Sequence, residues 1–180
     1  MAKEAKIKRD ISLPDAVSAS FEDNVLHIKG DKGELTRVFS HPDLTISVAD
    51  NKISIHCIKF RRKQKALLGT FIAHINNMIQ GVTEGFQYQM KTVYSHFPIK
   101  TNVDGDRFVI QNFLGERSPR KALILDGVTV EAKGDDVTVK GIDKEKVGQT
   151  VANIERATAV KRRDIRVFQD GIYRISKGGS

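Results

Sequence analysis

Two stretches of this 180-residue chain repeat one another, and any fold it adopts has to accommodate the repetition. Leu44-Thr-Ile-Ser-Val-Ala-Asp-Asn-Lys-Ile-Ser-Ile-His56 aligns without a gap on Val128-Thr-Val-Glu-Ala-Lys-Gly-Asp-Asp-Val-Thr-Val-Lys140. Both alternate apolar and polar residues, pause at a polar pair (Asp50-Asn51, Gly134-Asp135) and alternate again, which is the pattern of a β-hairpin. Leu68-Gly-Thr-Phe-Ile-Ala73 then corresponds to Val147-Gly-Gln-Thr-Val-Ala152, and upstream Ile28-Lys-Gly-Asp-Lys-Gly-Glu34 to Ile110-Gln-Asn-Phe-Leu-Gly-Glu116. The three offsets, 84, 79 and 82 residues, are nearly equal and keep one order, as two copies of one module require.

Helical periodicity follows each hairpin. Leu68, Phe71, Ile72, Ile75, Met78 and Ile79 recur at i, i+3, i+4 spacing and predict a helix over residues 65–80, with Gly81 as a left-handed cap. Val147, Val151 and Ile154 predict a second helix from Lys144 to Ala157, with Asp143 capping its N-terminus. The expected fold class is therefore α+β: two tandem copies of an antiparallel-type β-sheet covered by one helix. The first sheet-plus-helix module is expected over residues 1–84. The second, with a basic C-terminal tail, is expected over residues 85–180, because Phe86 to Phe97 already reads as the next strand. Hydrophobic residues make up 39 % of the chain, enough for two small cores.

Thirty Lys and Arg against 22 Asp and Glu give a formal charge of +8, which favours a polyanionic partner. The first 84 residues carry 13 cations and 10 acids, the remainder 17 and 12. Three clusters stand out. Lys59-Phe-Arg61-Arg62-Lys63-Gln-Lys65 precedes the first helix, where its cations oppose the helix dipole. Arg117-Ser-Pro-Arg120-Lys121 reads as a loop after Gly115-Glu116. Lys161-Arg162-Arg163 follows the second helix, with Arg166, Arg174 and Lys177 beyond it. Cations on loops that a scaffold holds rigid neutralise phosphates and release counterions. Gln169-Asp170-Gly171 reads as the tight turn of a short hairpin between Ile165-Arg-Val-Phe168 and Ile172-Tyr-Arg-Ile175. That hairpin would project Gln169, Tyr173 and Arg174, with Tyr173 stacking on a base, bonding a phosphate, or covering a sheet edge. Lys3 to Arg9 forms a further basic segment.

No constellation for catalysis is visible. His27, His41, His56, His74 and His96 are scattered without metal-ligand spacing, and His74 is expected to face solvent from the first helix. No nucleophile elbow or phosphate-binding loop occurs: Gly30-Asp-Lys-Gly33 lacks the Gly-Lys-Ser/Thr ending. Cys57 stands alone and reads as a small buried hydrophobe. No apolar run approaches the ~20 residues of a membrane span, so a cytoplasmic protein without cofactor, metal or small-molecule substrate is expected. A free-standing RNA-binding module or assembly chaperone, and a protein-interaction adaptor, are the competing readings. Steep salt dependence separates RNA binding from the adaptor.

Five stretches carry a family resemblance: Asn77-Met-Ile-Gln-Gly-Val-Thr-Glu-Gly-Phe86, Tyr94-Ser-His-Phe-Pro98, Asn112-Phe-Leu-Gly-Glu116, Val147-Gly-Gln-Thr-Val-Ala-Asn-Ile-Glu155 and Arg166-Val-Phe-Gln-Asp-Gly-Ile-Tyr173. In this order they resemble the archaeal and eukaryotic type of the ribosomal large-subunit protein L six family. The resemblance implies two tandem modules, binding to large-subunit rRNA chiefly through the second, and neighbouring ribosomal proteins as partners. It also implies a position near the sarcin–ricin loop, beside the docking site of translational GTPases. Carried onto this chain, the implied RNA contacts are Lys161, Arg162, Arg163, Arg166, Gln169, Tyr173 and Arg174, then Arg117, Arg120 and Lys121. Where bacterial members have Gly-Lys-Gly-Ile, this chain has Gln169-Asp-Gly-Ile172, so an acid stands in place of a cation.

Overall fold

A computed structural model describes residues 7–49, 51–58 and 61–178, with side chains described for 8–49, 51–58 and 61–176. The N-terminal basic segment before Ile7, Asp50 of the first polar pair, Lys59 of the first cluster and the Lys177 side chain lie outside what is described. Contacts divide the chain into two compact units, Met1–Glu84 and Gly85–Ser180.

The first unit runs β1 (Ile7–Ser12), β2 (Ser18–Glu22), β3 (Val25–Gly30), β4 (Gly33–Val38), β5 (Leu44–Ala49), β6 (Lys52–Cys57) and α1 (Arg62–Thr83). These strands form two antiparallel sheets, ordered β1-β6-β5 and β2-β3-β4. The repeated hairpin is β5-β6, with Ile46 opposite Ile55 and Val48 opposite Ile53. Its alternation places Leu44, Ile46, Ile53, Ile55 and Cys57 in the core, which Leu68, Ile75, Met78 and Val82 of α1 cover.

The second unit repeats the plan: β7 (Phe86–Val93), β8 (Lys100–Asp104), β9 (Arg107–Gln111), a 3-10 turn (Phe113–Gly115), β10 (Arg120–Leu123), β11 (Val128–Lys133), β12 (Asp136–Gly141) and α2 (Lys144–Ala157). Its sheets are β8-β9-β10 and β11-β12-β7-β13. The order β7-β12-β11 reproduces β1-β6-β5 strand for strand. The addition is β13 (Gly171–Gly178), which pairs antiparallel with the other edge of β7. Thus the segment after α2 has no counterpart after α1, where β7 of the next unit begins directly. Met90, Phe108, Ile110, Val137, Val139, Val147 and Ile154 are fully buried in this unit's core.

Cap chemistry explains where the helices start and stop. Asp143 has extended backbone, and its carboxylate accepts the Glu145 N–H at 2.9 Å. This takes up one of the amides that a helix N-terminus leaves unpaired. By contrast α1 has no side-chain cap at Arg61 and no acid in its first turn. It begins three residues earlier than the periodicity predicts, so Arg62 and Lys63 are helical rather than part of a loop before the helix. It also runs past Gly81, which is buried inside the helix, and Gly85 takes the left-handed conformation instead (φ 75°). The predicted cap is corrected by four residues. Apolar contacts of Met78 and Val82 with the core carry the helix through a glycine that a propensity argument treats as a stop.

Candidate nucleic-acid interface

The segment 158–170 links α2 to β13 and carries the third basic cluster. It does not form the predicted hairpin. Ile165 to Val167 make a turn, in which the Val167 and Phe168 amides donate to the Asp164 carbonyl at 3.1 and 2.9 Å, and no strand forms before Gly171. A tight hairpin turn at Asp170-Gly171 needs left-handed backbone there, and neither residue adopts it. Instead Asp170 is fully buried, and its Oδ1 accepts the Ser95 N–H at 3.3 Å beyond the end of β7. The acid that replaces a family cation is therefore an anchor for β13 rather than a surface group. Gly171 has a different role: a Cβ there would meet the Tyr173 ring at 3.0 Å, so the glycine lets that ring lie back along the strand.

Both ends of the linking segment are held. Thr158 is buried, and its Oγ1 accepts the Ile172 N–H at 3.1 Å; Glu155 Oε1 accepts the Arg174 N–H at 3.2 Å. Alternate amides of β13 point away from β7, and these two are taken up by α2. Between the anchors, Lys161, Arg162, Arg163 and Arg166 are all exposed. Arg162 sits in the left-handed region at φ 60°, a conformation that costs a non-glycine residue about 1–2 kcal/mol. The Arg163 guanidinium lies 4.7 Å from the Phe168 ring centroid, and Phe168 in turn meets the His96 ring at 5.8 Å. Arg166 grips Asp164 with two side-chain bonds, Nε to Oδ1 at 3.1 Å and Nη2 to Oδ2 at 2.9 Å. This pair holds the Asp164 carboxyl below the usual carboxylate range and raises the Arg166 guanidinium.

The second cluster meets the third through one residue. Arg120 lies on strand β10, not in a loop, and its donors are directed inward. Nε and Nη2 bind Glu116 at 2.8 and 2.6 Å, Nη1 donates to the Ala157 and Ala159 carbonyls at 2.9 and 3.0 Å, and the guanidinium stacks 4.2 Å over Phe113. Arg120 thereby ties the 113–117 turn to the start of the basic segment. With those donors occupied, it has little left for a phosphate. Glu116 ionises below its usual value, chiefly through the Arg120 hydrogen bonds, with further help from the charges of Arg120 and Arg163. Arg117 is exposed beside this tie and Lys121 is exposed on the next residue of β10. Tyr173 and Arg174 are exposed on β13, and the Tyr173 hydroxyl donates to the Gln169 carbonyl at 3.0 Å. Through Arg120, the turn that leads to Arg117 is thus brought to the start of the segment that carries Lys161, Arg162, Arg163 and Arg166. Arg61 and Arg62 are exposed in the first unit, at the start of α1.

His74 does not face solvent freely: its Nε2 lies 3.3 Å from Arg37 on β4. Cys57 is buried. Among the described residues, no three His, Cys, Asp or Glu side chains come together as a metal site needs, and no helix is long and apolar enough to cross a membrane.

The second unit thus repeats the sheet-and-helix plan of the first and adds a cationic segment and β13 to it. The family model described as "Ribosomal protein L6" matches twice, at residues 13–85 and 97–171. The chain is 49 % identical over 177 residues to the large ribosomal subunit protein uL6 of Methanobrevibacter smithii, covering 98 % of this chain and 99 % of that relative. It is 47 % identical over 172 residues to uL6 of Methanothrix thermoacetophila, covering 96 % and 98 %. The chain belongs to the ribosomal protein L6 family, of the archaeal type, whose members are ribosomal proteins rather than enzymes.

Proposed function

We propose that this protein is a constituent of the large ribosomal subunit, in the cytoplasm, where it fastens large-subunit rRNA beside neighbouring ribosomal proteins. Lys161, Arg162, Arg163 and Arg166 hold phosphates, with Arg117, Lys121 and Arg174 at the margin and Arg61 and Arg62 as a separate contact of the first unit. The family resemblance supports a location near the sarcin–ricin loop and the docking region of translational GTPases. One observation carries the reading: the segment present in the second copy and missing from the first has four exposed cations on a loop tied down at both ends. A pinned loop binds without the entropy cost of ordering itself. Backbone charge and shape are what such a loop can recognise, because the deep groove of A-form RNA hides the base edges.

The test is a salt titration of binding to large-subunit rRNA. Replacing Arg162 and Arg163 together by Ala is expected to weaken binding and to make the slope of log K against log salt shallower by roughly 1.4–1.8, at 0.7–0.9 per lost phosphate contact. Unchanged slope and affinity would remove the basic segment from the interface.

A further inference from the structure

Beside the cations lies a groove of about 550 Å³ in the second unit, between the end of α2 and the start of β13. Its size falls within the ~300–1,000 Å³ of sites that enclose small planar ligands. Val160, Ile165 and Phe168 give it apolar walls, and Glu155, Gln169 and Tyr173 give it polar tips. Two features make it more than a surface dent. First, Tyr173 is set in place: its ring lies across Gly171, its hydroxyl is bound to the Gln169 carbonyl, and the side chain remains 49 % exposed. An aromatic ring held this way is a stacking platform that loses little freedom on binding. Second, Glu155 spends Oε1 on the Arg174 N–H, while Oε2 accepts no hydrogen bond from the described residues. A carboxylate only accepts, so whatever enters must present donors.

We propose that this groove receives one unstacked guanine of a single-stranded RNA segment, stacked on Tyr173 and read by the Glu155 carboxylate. The inference rests on the proposed function, since the cations supply the phosphate contacts on either side. Charge complementarity selects the occupant. The 161–166 segment meets the groove at Ile165, and Arg163 lies over Phe168, one of its walls, so cations border an apolar slot that ends in one acid. A nucleotide has the matching order of anion, flat ring and donor edge. Among the bases, guanine sets N1–H and the 2-amino group side by side on one edge, which suits a carboxylate. Uracil offers a single N–H flanked by two carbonyl oxygens that a carboxylate repels.

The experiment uses the full chain and two hexanucleotides, U6 and the same tract with one central G, at low salt by fluorescence anisotropy. The G-containing strand is expected to bind about tenfold tighter, the factor that ~1.4 kcal/mol of discrimination gives. Glu155→Gln keeps an oxygen for the Arg174 N–H and should bring the two affinities within about twofold. With a fluorescent guanine analogue that keeps N1–H and the 2-amino group in the central position, fluorescence should change on binding, and the change should be lost in Tyr173→Leu. Equal affinities in the parent protein would overturn the guanine site and leave the groove to another occupant, such as a protein side chain. So would a G preference that survives Glu155→Gln. In those cases steep salt dependence on large-subunit rRNA would persist; its loss would instead count against the proposed function itself.

Discussion

The hydroxyl of Thr158, at the end of α2, accepts the backbone N–H of Ile172 on β13 at 3.1 Å. The same hydroxyl lies 3.2 Å from the Glu155 carbonyl, to which it donates. It therefore serves a carbonyl in the last turn of the helix and an otherwise unpaired amide of an edge strand together. An edge strand with free amides is a template for unwanted pairing, and here the helix end blunts it.

Thr158→Val keeps the shape and removes the oxygen. The Ile172 amide is then buried without an acceptor, and stability should fall by about 1–3 kcal/mol. Urea unfolding would show a lower midpoint with unchanged slope. An unshifted midpoint would mean that the contact contributes nothing.

Arg120→Ala separates a tie from an interface contact. Losing the bonds to Glu116 and to two carbonyls should cost roughly 2–3 kcal/mol, since each is assisted by charge. Measured on rRNA at a temperature where the variant is folded, the salt slope should match that of the parent. A slope shallower by a full contact would return Arg120 to the RNA surface.

Glu116 predicts an acid-side pH dependence. Its folded pKa lies below the 4.5 of an unperturbed glutamate, mainly because of the Arg120 hydrogen bonds. The stability it contributes is fully present above about 4.5 and is lost as pH falls through the lower folded value. Denaturation of the parent and of Glu116→Gln from pH 7 to pH 3 should show a stability difference that narrows across the acid end of that window. A constant difference would exclude ionisation as its source.

Asp164→Asn should strengthen RNA binding. The asparagine keeps an oxygen for the Arg166 amide but gives up the charge that now pairs with Arg166. The expected result is tighter binding and a salt slope steeper by about 0.7, read in the same titration.

Arg162→Gly tests whether backbone strain is retained for contact. Glycine relieves the left-handed conformation, while its freedom in the unfolded chain offsets part of the gain, so stability should stay within about 1 kcal/mol of the parent or rise. RNA affinity should nevertheless drop. A variant equal in both respects would show that the residue is indifferent to the partner.

How much of this was legible depended on how local each signal was. The 44–56 and 128–140 hairpins were readable because alternation is a property of neighbouring residues, and β5-β6 and β11-β12 pair as the pattern predicts. The Asp143 cap was readable for the same reason. Each module carries two sheets, and nothing in the alternation says which strands share one. Asp170-Gly171 misled because turn chemistry is local, whereas the choice of β7 as the partner of β13 is made some 80 residues away in the chain. Arg120 looked like any loop cation. The carbonyls that claim it belong to Ala157 and Ala159, whose approach depends on how α2 crosses the sheet. The basic segment itself was found by charge, but its two anchors, Thr158 and Glu155, carry no sequence mark that sets them apart from other helix residues.

Pairing of β13 with β7 joins the last-made strand of the second unit to its first-made one. During synthesis the edge of β7 must wait, unpaired, until residues 171–178 have left the tunnel. A chain stopped short of Gly171 would bare that edge and, by the same omission, lack Tyr173 and the groove wall. Closure of the second unit thus waits on β13, and a copy lacking residues 171–178 would offer the β7 edge to other strands.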